Sequence, residues 1–134
     1  MKEKEQKQLG WTAKRELTKL NYRIHTDAIK SNLIPPQLNA RQKSAVYASE
    51  ADVLNVAMFG MTAAEWRLAH KDLKGNIRDY ATMNQLICLA NMESLNSVMI
   101  GHGLPQEVRL VELNEVAKQQ MRVLGQVENR LLLK

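Results

Sequence analysis

The stretch Thr82–Gly103, TMNQLICLANMESLNSVMIGHG, decides the fold of this chain. It opens with Thr82 and with Gln85 three residues later, which is a capping box in its glutamine form. Apolar side chains then follow on nearly every side of the helix, a pattern typical of a helix that is buried all round. Gly101 or Gly103 can supply a left-handed stop. The stretch therefore predicts a buried central helix.

The same helix supplies most of the predicted core. Its buried side chains are expected to be Leu86, Ile87, Ala90, Leu95 and Val98. The side chains expected to pack against them are Val53, Leu54, Met58 and Trp66. Cys88, the single cysteine, lies at the middle of the helix, where we expect it to act as a small buried apolar residue. Leu95→Ala is accordingly expected to cost about 2–5 kcal/mol of stability.

Residues that typically start or end helices divide the rest of the chain into further helices. Pro35–Pro36 ends the first helix, because proline disfavours helix in the residue before it. Thr62 and Glu65 form a second capping box, and Ser49 with Asp52 resembles a third. No stretch alternates apolar and polar residues as a strand does. We predict an all-α fold, a compact helical bundle with long N- and C-terminal helices. The expected helices, about six, lie near 12–33, 40–47, 50–59, 62–71, 82–101 and 105–131.

Composition agrees with a single helical domain. The 134 residues are 45% hydrophobic but only 4% aromatic, which favours helices because strands prefer β-branched and aromatic side chains. Residues 1–33 are expected to form a connecting helix and residues 34–134 a helical C-terminal module. No run of about 18 apolar residues predicts a membrane span. A lone cysteine indicates a reducing, cytoplasmic location.

Basic charge is concentrated at the N-terminus. Residues 1–43 contain ten Lys or Arg and four Asp or Glu, a net +6, whereas residues 44–134 contain nine and ten, a net −1. Such a segment can lie near nucleic acid or another acidic surface, and a solvated helix face explains the same charges. Because so few cations contact only a few phosphates, we predict at most weak DNA binding, without sequence preference.

No pattern in the sequence predicts catalysis, a metal or a cofactor. His25, His70 and His102 are far apart, and no cysteine or carboxylate accompanies them at the spacing of a zinc site. A glycine-rich phosphate loop is also missing. We therefore predict no catalytic residue, no cofactor, no metal ion and no enzymatic activity.

The segment 74–80 is the first candidate interaction site. It places several polar groups and a glycine between two predicted helices. In one interpretation Asn76, Arg78 and Asp79 contact a partner, since binding residues often lie on loops that a rigid scaffold holds. In the other, Arg78 and Asp79 bond to helix ends and fix the turn.

The second candidate is the polar cluster Arg23, His25 and Asp27 in the first helix. Arg23 and Asp27 are four residues apart and can pair across one turn, although the opposite order is more favourable. A recognition helix is the alternative to a surface ion pair. The segment has cations but lacks a helix-turn-helix frame, which argues against direct reading of bases.

Each terminal helix carries an apolar stripe. The stripe of the first helix runs through Ala13, Leu17, Leu20, Ile24 and Ala28. The stripe of the last helix runs through Leu110, Leu113, Ala117, Met121, Leu124, Val127 and Leu131. Because uncovered stripes of this length usually mark an interface, we predict a homodimer formed through Leu17, Leu20, Ile24, Leu124 and Leu131. The alternative is that the two helices pack on each other within one chain.

Several motifs, taken together, resemble a known family. They are Glu5–Trp11 (EQKQLGW), Leu20–Lys30 (LNYRIHTDAIK), Leu33–Pro36 (LIPP), Tyr47–Asp52 (YASEAD), Phe59–Gly60, Thr62–Ala63, Trp66–Arg67, Gly75–Tyr80 (GNIRDY) and Gly103–Gln106 (GLPQ). The series, which covers nearly the whole chain, is similar to the C-terminal region of KilA-N domain proteins of bacterial prophages and mobile elements, notably from Bacteroidetes. The resemblance implies a DNA-binding KilA-N domain upstream, none of which is present here. It implies no catalytic residue.

The leading hypothesis is a helical accessory and oligomerisation module of a phage-type DNA-binding protein. It would bind a second copy of itself, and DNA only through the absent upstream domain or weakly through residues 1–43. A small enzyme or toxin-like effector that uses the 74–80 segment is the rival from another class. A pocket distinguishes them, because an enzyme needs polar groups that converge on empty space.

Overall fold

The computed structural model describes residues 2–133, with side chains described from residue 15 to residue 130. The helices in chain order are α1 (Lys2–Leu33), α2 (Ala40–Phe59), α3 (Ala63–Ala69), a 3-10 helix (Ile77–Tyr80), α4 (Met83–Gly101) and α5 (Gln106–Leu133). No strand occurs within residues 2–133, so the predicted all-α class is confirmed. In the same range, no helix combines the length and the apolar character that crossing a bilayer requires.

The central position predicted for α4 is confirmed. Helices α1 and α5 both pack along it, and α2 lies mainly against α5 and also touches α4. Leu89 and Met92 of α4 are buried together with Leu54 of α2 and Leu113 of α5. Each such side chain contributes about 1.5–3 kcal/mol when it leaves water, so this cluster holds three helices together.

Local caps set the start of three helices. Thr62 and Thr82 each accept a hydrogen bond from the backbone N–H three residues on, which confirms both predicted capping boxes. Asn39 makes a third box at the start of α2. At the other end of α2, Gly60 has φ +75°, the left-handed conformation that glycine adopts without a Cβ penalty.

The break predicted near residue 48 is wrong, because α2 is one continuous helix. No glycine or proline interrupts it there, and Glu50, Val53 and Leu54 are buried along its length. Asp52 is not the capping-box partner of Ser49. Its carboxylate accepts a hydrogen bond from the Ala63 N–H at 2.9 Å and so supports the start of α3 instead.

The predicted core of α4 is partly wrong about which face is buried. Leu95 and Val98 are 36% and 52% exposed, so Leu95→Ala is expected to cost much less than a core truncation. Leu86, Ile87 and Ala90 are only half-buried. The side chains of α4 that are buried in their place are Cys88, Leu89, Met92, Met99 and Ile100. The helix is apolar nearly all round, so periodicity could not identify its inner face.

Other parts of the predicted core are confirmed. Val53 and Leu54 are buried, and Met58 packs against the core at its edge. Trp66 is also buried, but its ring stacks on His70 with centroids 4.7 Å apart, outside the main cluster. Cys88 is fully buried as predicted, and burial raises the pKa of its thiol.

The two terminal stripes differ in their surroundings. In α5, Leu113 and Ala117 are buried and Leu124 is partly buried against the core, so α2 and α4 of the same chain cover much of that stripe. In α1, the stripe residues Leu17 and Ile24 remain exposed. Ala13 and Leu131 lie outside the described side chains.

Candidate functional site

The first polar feature of the interior is an ion pair between Arg109 of α5 and Glu50 of α2. The guanidinium donates to both carboxylate oxygens, with Nη1–Oε2 at 2.6 Å and Nη2–Oε1 at 2.9 Å. Arg109 also donates from Nε to the Leu104 carbonyl, and Gln106 donates to Glu50 Oε1. Both side chains are almost fully buried. Such a bidentate pair fixes the start of α5 against α2.

A hydrogen-bonded chain joins this pair to α1. Asn96 Oδ1 accepts from Arg109 Nη1 at 3.0 Å, and its amide nitrogen lies 2.8 Å from His25 Nε2. Because Arg109 can only donate, Asn96 presents its NH₂ group to the imidazole. His25 Nε2 is therefore an acceptor, and the neutral ring carries its proton on Nδ1. The chain links α1, α4, α5 and α2 through buried polar atoms.

Burial and neighbouring charges set the protonation states of His25 and Glu50 in this hydrogen-bonded series. Burial is the largest effect on His25 and lowers its pKa from 6.5 to about 4, so the ring is neutral near pH 7. For Glu50, burial acts to raise the pKa, but the hydrogen bonds and the charge of Arg109 outweigh it. The pKa of Glu50 is therefore lowered, and the carboxylate stays ionised.

A second ion pair joins Arg78 of the 3-10 helix to Glu93 of α4. Arg78 Nη1 donates to Glu93 Oε1 at 2.9 Å, and Arg78 Nε makes a longer bond of 3.5 Å to Asn55 Oδ1. Glu93 is buried, whereas 29% of the Arg78 side chain is exposed. Glu93 Oε2 is buried and has no hydrogen-bond partner among the described residues. Burial raises the pKa of Glu93 more than Arg78 lowers it.

The backbone around Arg78 is held by its neighbours. Asn76 Oδ1 accepts from the Arg78 N–H at 2.9 Å, and Asp79 Oδ2 accepts from the Asn76 N–H at 2.7 Å. Gly75 has φ +88° and lies so close to the Asp79 carboxylate that a Cβ would clash with it. The Arg67 guanidinium donates to the Leu73 and Gly75 carbonyls. The segment therefore presents Arg78 on a fixed support.

Two cavities meet at this second pair. The inner cavity, of about 310 Å³, is lined by Tyr22, His25, Asn55, Asn76, Arg78 and Glu93 among others. The outer cavity, of about 590 Å³, lies along α1 and is lined by Lys19, Tyr22, Arg23, Arg78 and Glu93 among others. Tyr22, Arg78 and Glu93 line both cavities. The structure thus brings residues of α1, α2, α3, the 3-10 helix and α4 to one concave place.

The predicted interaction residues of α1 differ in their burial and contacts. Arg23 and Asp27 are exposed and, although both are described, form no ion pair with each other. The order Arg before Asp is the weaker one on a helix, and both side chains are solvated. His25 is buried in the hydrogen-bonded chain and lines the inner cavity. Arg23 lines the outer cavity.

The predicted interaction residues of segment 74–80 divide between the two interpretations. Asp79 bonds to the start of the 3-10 helix, as the structural interpretation expects, and Asn76 accepts a hydrogen bond at the same place. Arg78 does not bond to a helix end. It pairs with Glu93 and lines both cavities.

Sequence reasoning missed four polar residues that organise the interior: Glu50, Glu93, Asn96 and Arg109. All are buried, and all lie on helices whose sequence is otherwise amphipathic or apolar. For Glu93 and Asn96 the sequence gives one local signal, since each is a polar residue among the apolar residues of α4. That signal does not identify partners, because Glu50 and Arg109 are 59 residues apart.

Comparison with other proteins adds no constraint on this site. No family model, no curated protein and no solved structure matches the chain. Within the part of the chain that the structure describes, no three His, Cys, Asp or Glu side chains come together as metal ligands would. The candidate site is therefore inferred from its geometry alone.

Proposed function

We propose that this chain is a non-enzymatic helical accessory and oligomerisation module of a phage-type DNA-binding protein of the KilA-N kind, and that it forms a homodimer. One observation carries the proposal, which is the apolar surface that α1 leaves uncovered. Leu17, Leu20 and Ile24 are each about half exposed, although α1 is long and lies against the bundle. Contiguous apolar surface of this kind usually marks an interface.

The uncovered surface continues onto α4. A groove of about 530 Å³ lies between the two helices and is lined by Leu17 of α1 and by Met83, Leu86, Ile87 and Ala90 of α4, among others. A two-fold pair of chains would place the same surface of each copy against the other and cover both grooves at once. Phage-type DNA-binding proteins often read paired half-sites, which a dimer of this module would serve.

The rival proposal, a small enzyme that uses the 74–80 segment, receives less support. That enzyme would use Asp79 and Arg78. The Asp79 carboxylate already accepts a hydrogen bond from the Asn76 N–H, with N–Oδ2 at 2.7 Å, and supports the turn. Arg78 does face a cavity, but its guanidinium pairs with Glu93. A charged pair of this kind beside a cavity suits the binding of a ligand.

The dimer is tested by the mass in solution, measured by size-exclusion chromatography with light scattering at micromolar concentration. We expect about twice 15.3 kDa for the native chain. Leu17→Glu with Ile24→Glu should give the monomer, because both changes place charge in the proposed interface. Both side chains are exposed in one copy, so folding should survive, which circular dichroism checks.

The matched control is Val108→Glu with Val111→Glu on α5. These side chains are 45% and 62% exposed, against 49% for Ile24 and 59% for Leu17, but they lie on α5, outside the proposed surface of α1 and α4. The control should remain a dimer. A monomeric native chain at every concentration, or equal loss of the dimer in both variants, would contradict the proposed interface.

A further inference from the structure

The Arg78–Glu93 pair, of which only Glu93 is fully buried, lines two cavities and contains a hydrogen-bond donor beside an unused acceptor. Glu93 Oε2 is the acceptor, since it is buried and no described residue donates to it. The Arg78 guanidinium, bonded to the other oxygen of the same carboxylate, is the donor. Leaving a buried acceptor unpaired is costly. A ligand group that donates to Glu93 and accepts from Arg78 would remove that cost.

The charge of the pair restricts the ligand. Glu93 is already neutralised by Arg78, so a cationic donor such as an ammonium group would meet the guanidinium at close range and be repelled. An anion would meet the free carboxylate oxygen. The site therefore favours a neutral group that carries a donor next to an acceptor, such as the edge of a nucleobase or a carboxamide.

The surroundings distinguish these two groups. The Tyr22 side chain lines both cavities and is 58% exposed, so its ring is available to stack on a planar ligand. Lys19 and Arg23 line the outer cavity, where Glu16 lies 3.6 Å from the Lys19 ammonium and offsets part of its charge. Stacking aromatic rings with nearby cations are the elements by which proteins hold single-stranded nucleic acid. A carboxamide side chain uses neither.

We propose that the Arg78–Glu93 pair, with Tyr22 and the basic side chains Lys19 and Arg23, forms a binding site for an unpaired nucleobase. An adenine base would donate from its N6 amino group to Glu93 Oε2 and accept at N1 from Arg78. Tyr22 would stack on the base, and Lys19 with Arg23 would meet its phosphate. This goes beyond the proposed dimer and does not depend on it, because binding needs one chain only.

Two ligands could supply the unpaired base, a free nucleotide and a single strand of nucleic acid. The first probe is adenosine 5′-monophosphate, titrated into the full 134-residue chain labelled with ¹⁵N. We expect saturable shifts of the Arg78 Nε–H signal and of the backbone signals around Tyr22. The second probe is single-stranded oligodeoxyadenylate, which should bind more tightly than the nucleotide if a strand is the natural ligand. The paired duplex, whose base edges are hidden, should not shift the Arg78 signal.

A matched ligand tests the donor directly. N6,N6-dimethyladenosine 5′-monophosphate keeps the ring and the phosphate but has no N–H on the base edge. We expect it to bind about tenfold more weakly, the loss that one hydrogen bond to a charged group gives. Equal affinity for the two nucleotides would overturn the proposal. Shifts of the same signals by acetamide but not by the nucleotide would assign the site to a carboxamide and would also overturn it.

Matched protein variants locate the site. Tyr22→Leu should weaken binding about tenfold, the size of one base–aromatic stacking contact. Lys19→Gln should weaken it a few-fold, whereas Lys118→Gln should not change it. Lys118 is a close control, because each lysine pairs with a glutamate three residues before it at 3.6 Å and the exposures are 65% and 67%. Equal effects of the two lysine changes, or none from Tyr22→Leu, would place nucleotide binding elsewhere and contradict the proposal.

The dimer and the nucleobase site can fail separately. Leu17→Glu with Ile24→Glu is expected to abolish the dimer and to leave the affinity for adenosine 5′-monophosphate within about twofold, since neither residue lines the inner or the outer cavity. A native chain that is monomeric yet binds the nucleotide keeps the site and removes the dimer. A dimer that shows no saturable shift removes the site.

Discussion

Two ion pairs of this small protein each join an arginine to a glutamate on another helix, but they differ in how many of the carboxylate oxygens have a partner. Arg109–Glu50 uses both carboxylate oxygens and is further bonded to Asn96, Gln106 and the Leu104 carbonyl. Arg78–Glu93 uses one oxygen of the carboxylate and leaves the other unpaired among the described residues.

The difference extends to protonation and exposure. The pKa of Glu50 is lowered and that of Glu93 is raised, because the partners of Glu50 outweigh its burial and those of Glu93 do not. The Arg109 side chain is 2% exposed, whereas that of Arg78 is 29% exposed beside a cavity. A pair with every bond made stabilises the fold. A pair with a buried acceptor to spare is suited to a ligand.

The largest effect is expected from Glu50→Gln. Removing this charge leaves the Arg109 guanidinium buried without a counter-ion, which costs about 3–5 kcal/mol of unfolding free energy. The matched change Glu93→Gln should cost no more than about 1 kcal/mol, since Arg78 can reach solvent and the buried charge of Glu93 is itself unfavourable. Urea denaturation at pH 7 measures both. Equal losses would remove the distinction between the pairs.

The next effect concerns pH and the His25 end of the first pair. The folded pKa of about 4 lies below the unfolded value of 6.5, so the unfolded chain takes up the proton first. The stability that neutral His25 provides is complete above pH 6.5 and is lost as pH falls toward 4, by at most about 3 kcal/mol. His25→Gln keeps an acceptor for Asn96 and should lose less stability over this range. Parallel stability–pH curves for the two proteins would refute this role.

Asn96 and Asn55 give a smaller contrast of the same kind. Asn96 bonds at 3.0 Å to Arg109 and at 2.8 Å to His25, whereas Asn55 bonds at 3.5 Å to Arg78 and at 3.2 Å to Asp52. Asn96→Leu should cost about 2–3 kcal/mol and Asn55→Leu about 1 kcal/mol, because shorter bonds between buried groups are more costly to lose. Thermal unfolding of both variants checks the order, and a larger loss from Asn55→Leu would contradict it.

The sequence predicted the parts of the fold that short stretches determine. Thr62 and Thr82 cap their helices through bonds to residues three positions away, so the pattern and its outcome lie in one turn. The same reasoning failed at Ser49 and Asp52. There Glu50, which lies between them, is fixed by Arg109 from α5, and the helix continues through the motif.

The candidate site depends on contacts that no local pattern contains. The polar segment 74–80 indicates Arg78 as a candidate, but its partner Glu93 lies 15 residues further on, inside an apolar helix. Helix α4 is apolar on nearly all sides, so its sequence could not show that Leu95 and Val98 face outward and that Glu93 faces Arg78. Packing of α1 and α5 on α4 makes that choice, and packing is a property of the whole chain.

The most direct test of the difference between the two pairs is a carboxyl ¹³C NMR titration of Glu50 and Glu93, with and without adenosine 5′-monophosphate. In the free protein we expect Glu50 to titrate below its ordinary pKa and Glu93 above it. A donor from the bound base stabilises the ionised form, so the nucleotide should lower the pKa of Glu93 and leave that of Glu50 unchanged. If the pKa values of both carboxyl groups are shifted in the same direction, or if the nucleotide leaves the pKa of Glu93 unchanged, Arg78–Glu93 is not a nucleobase site.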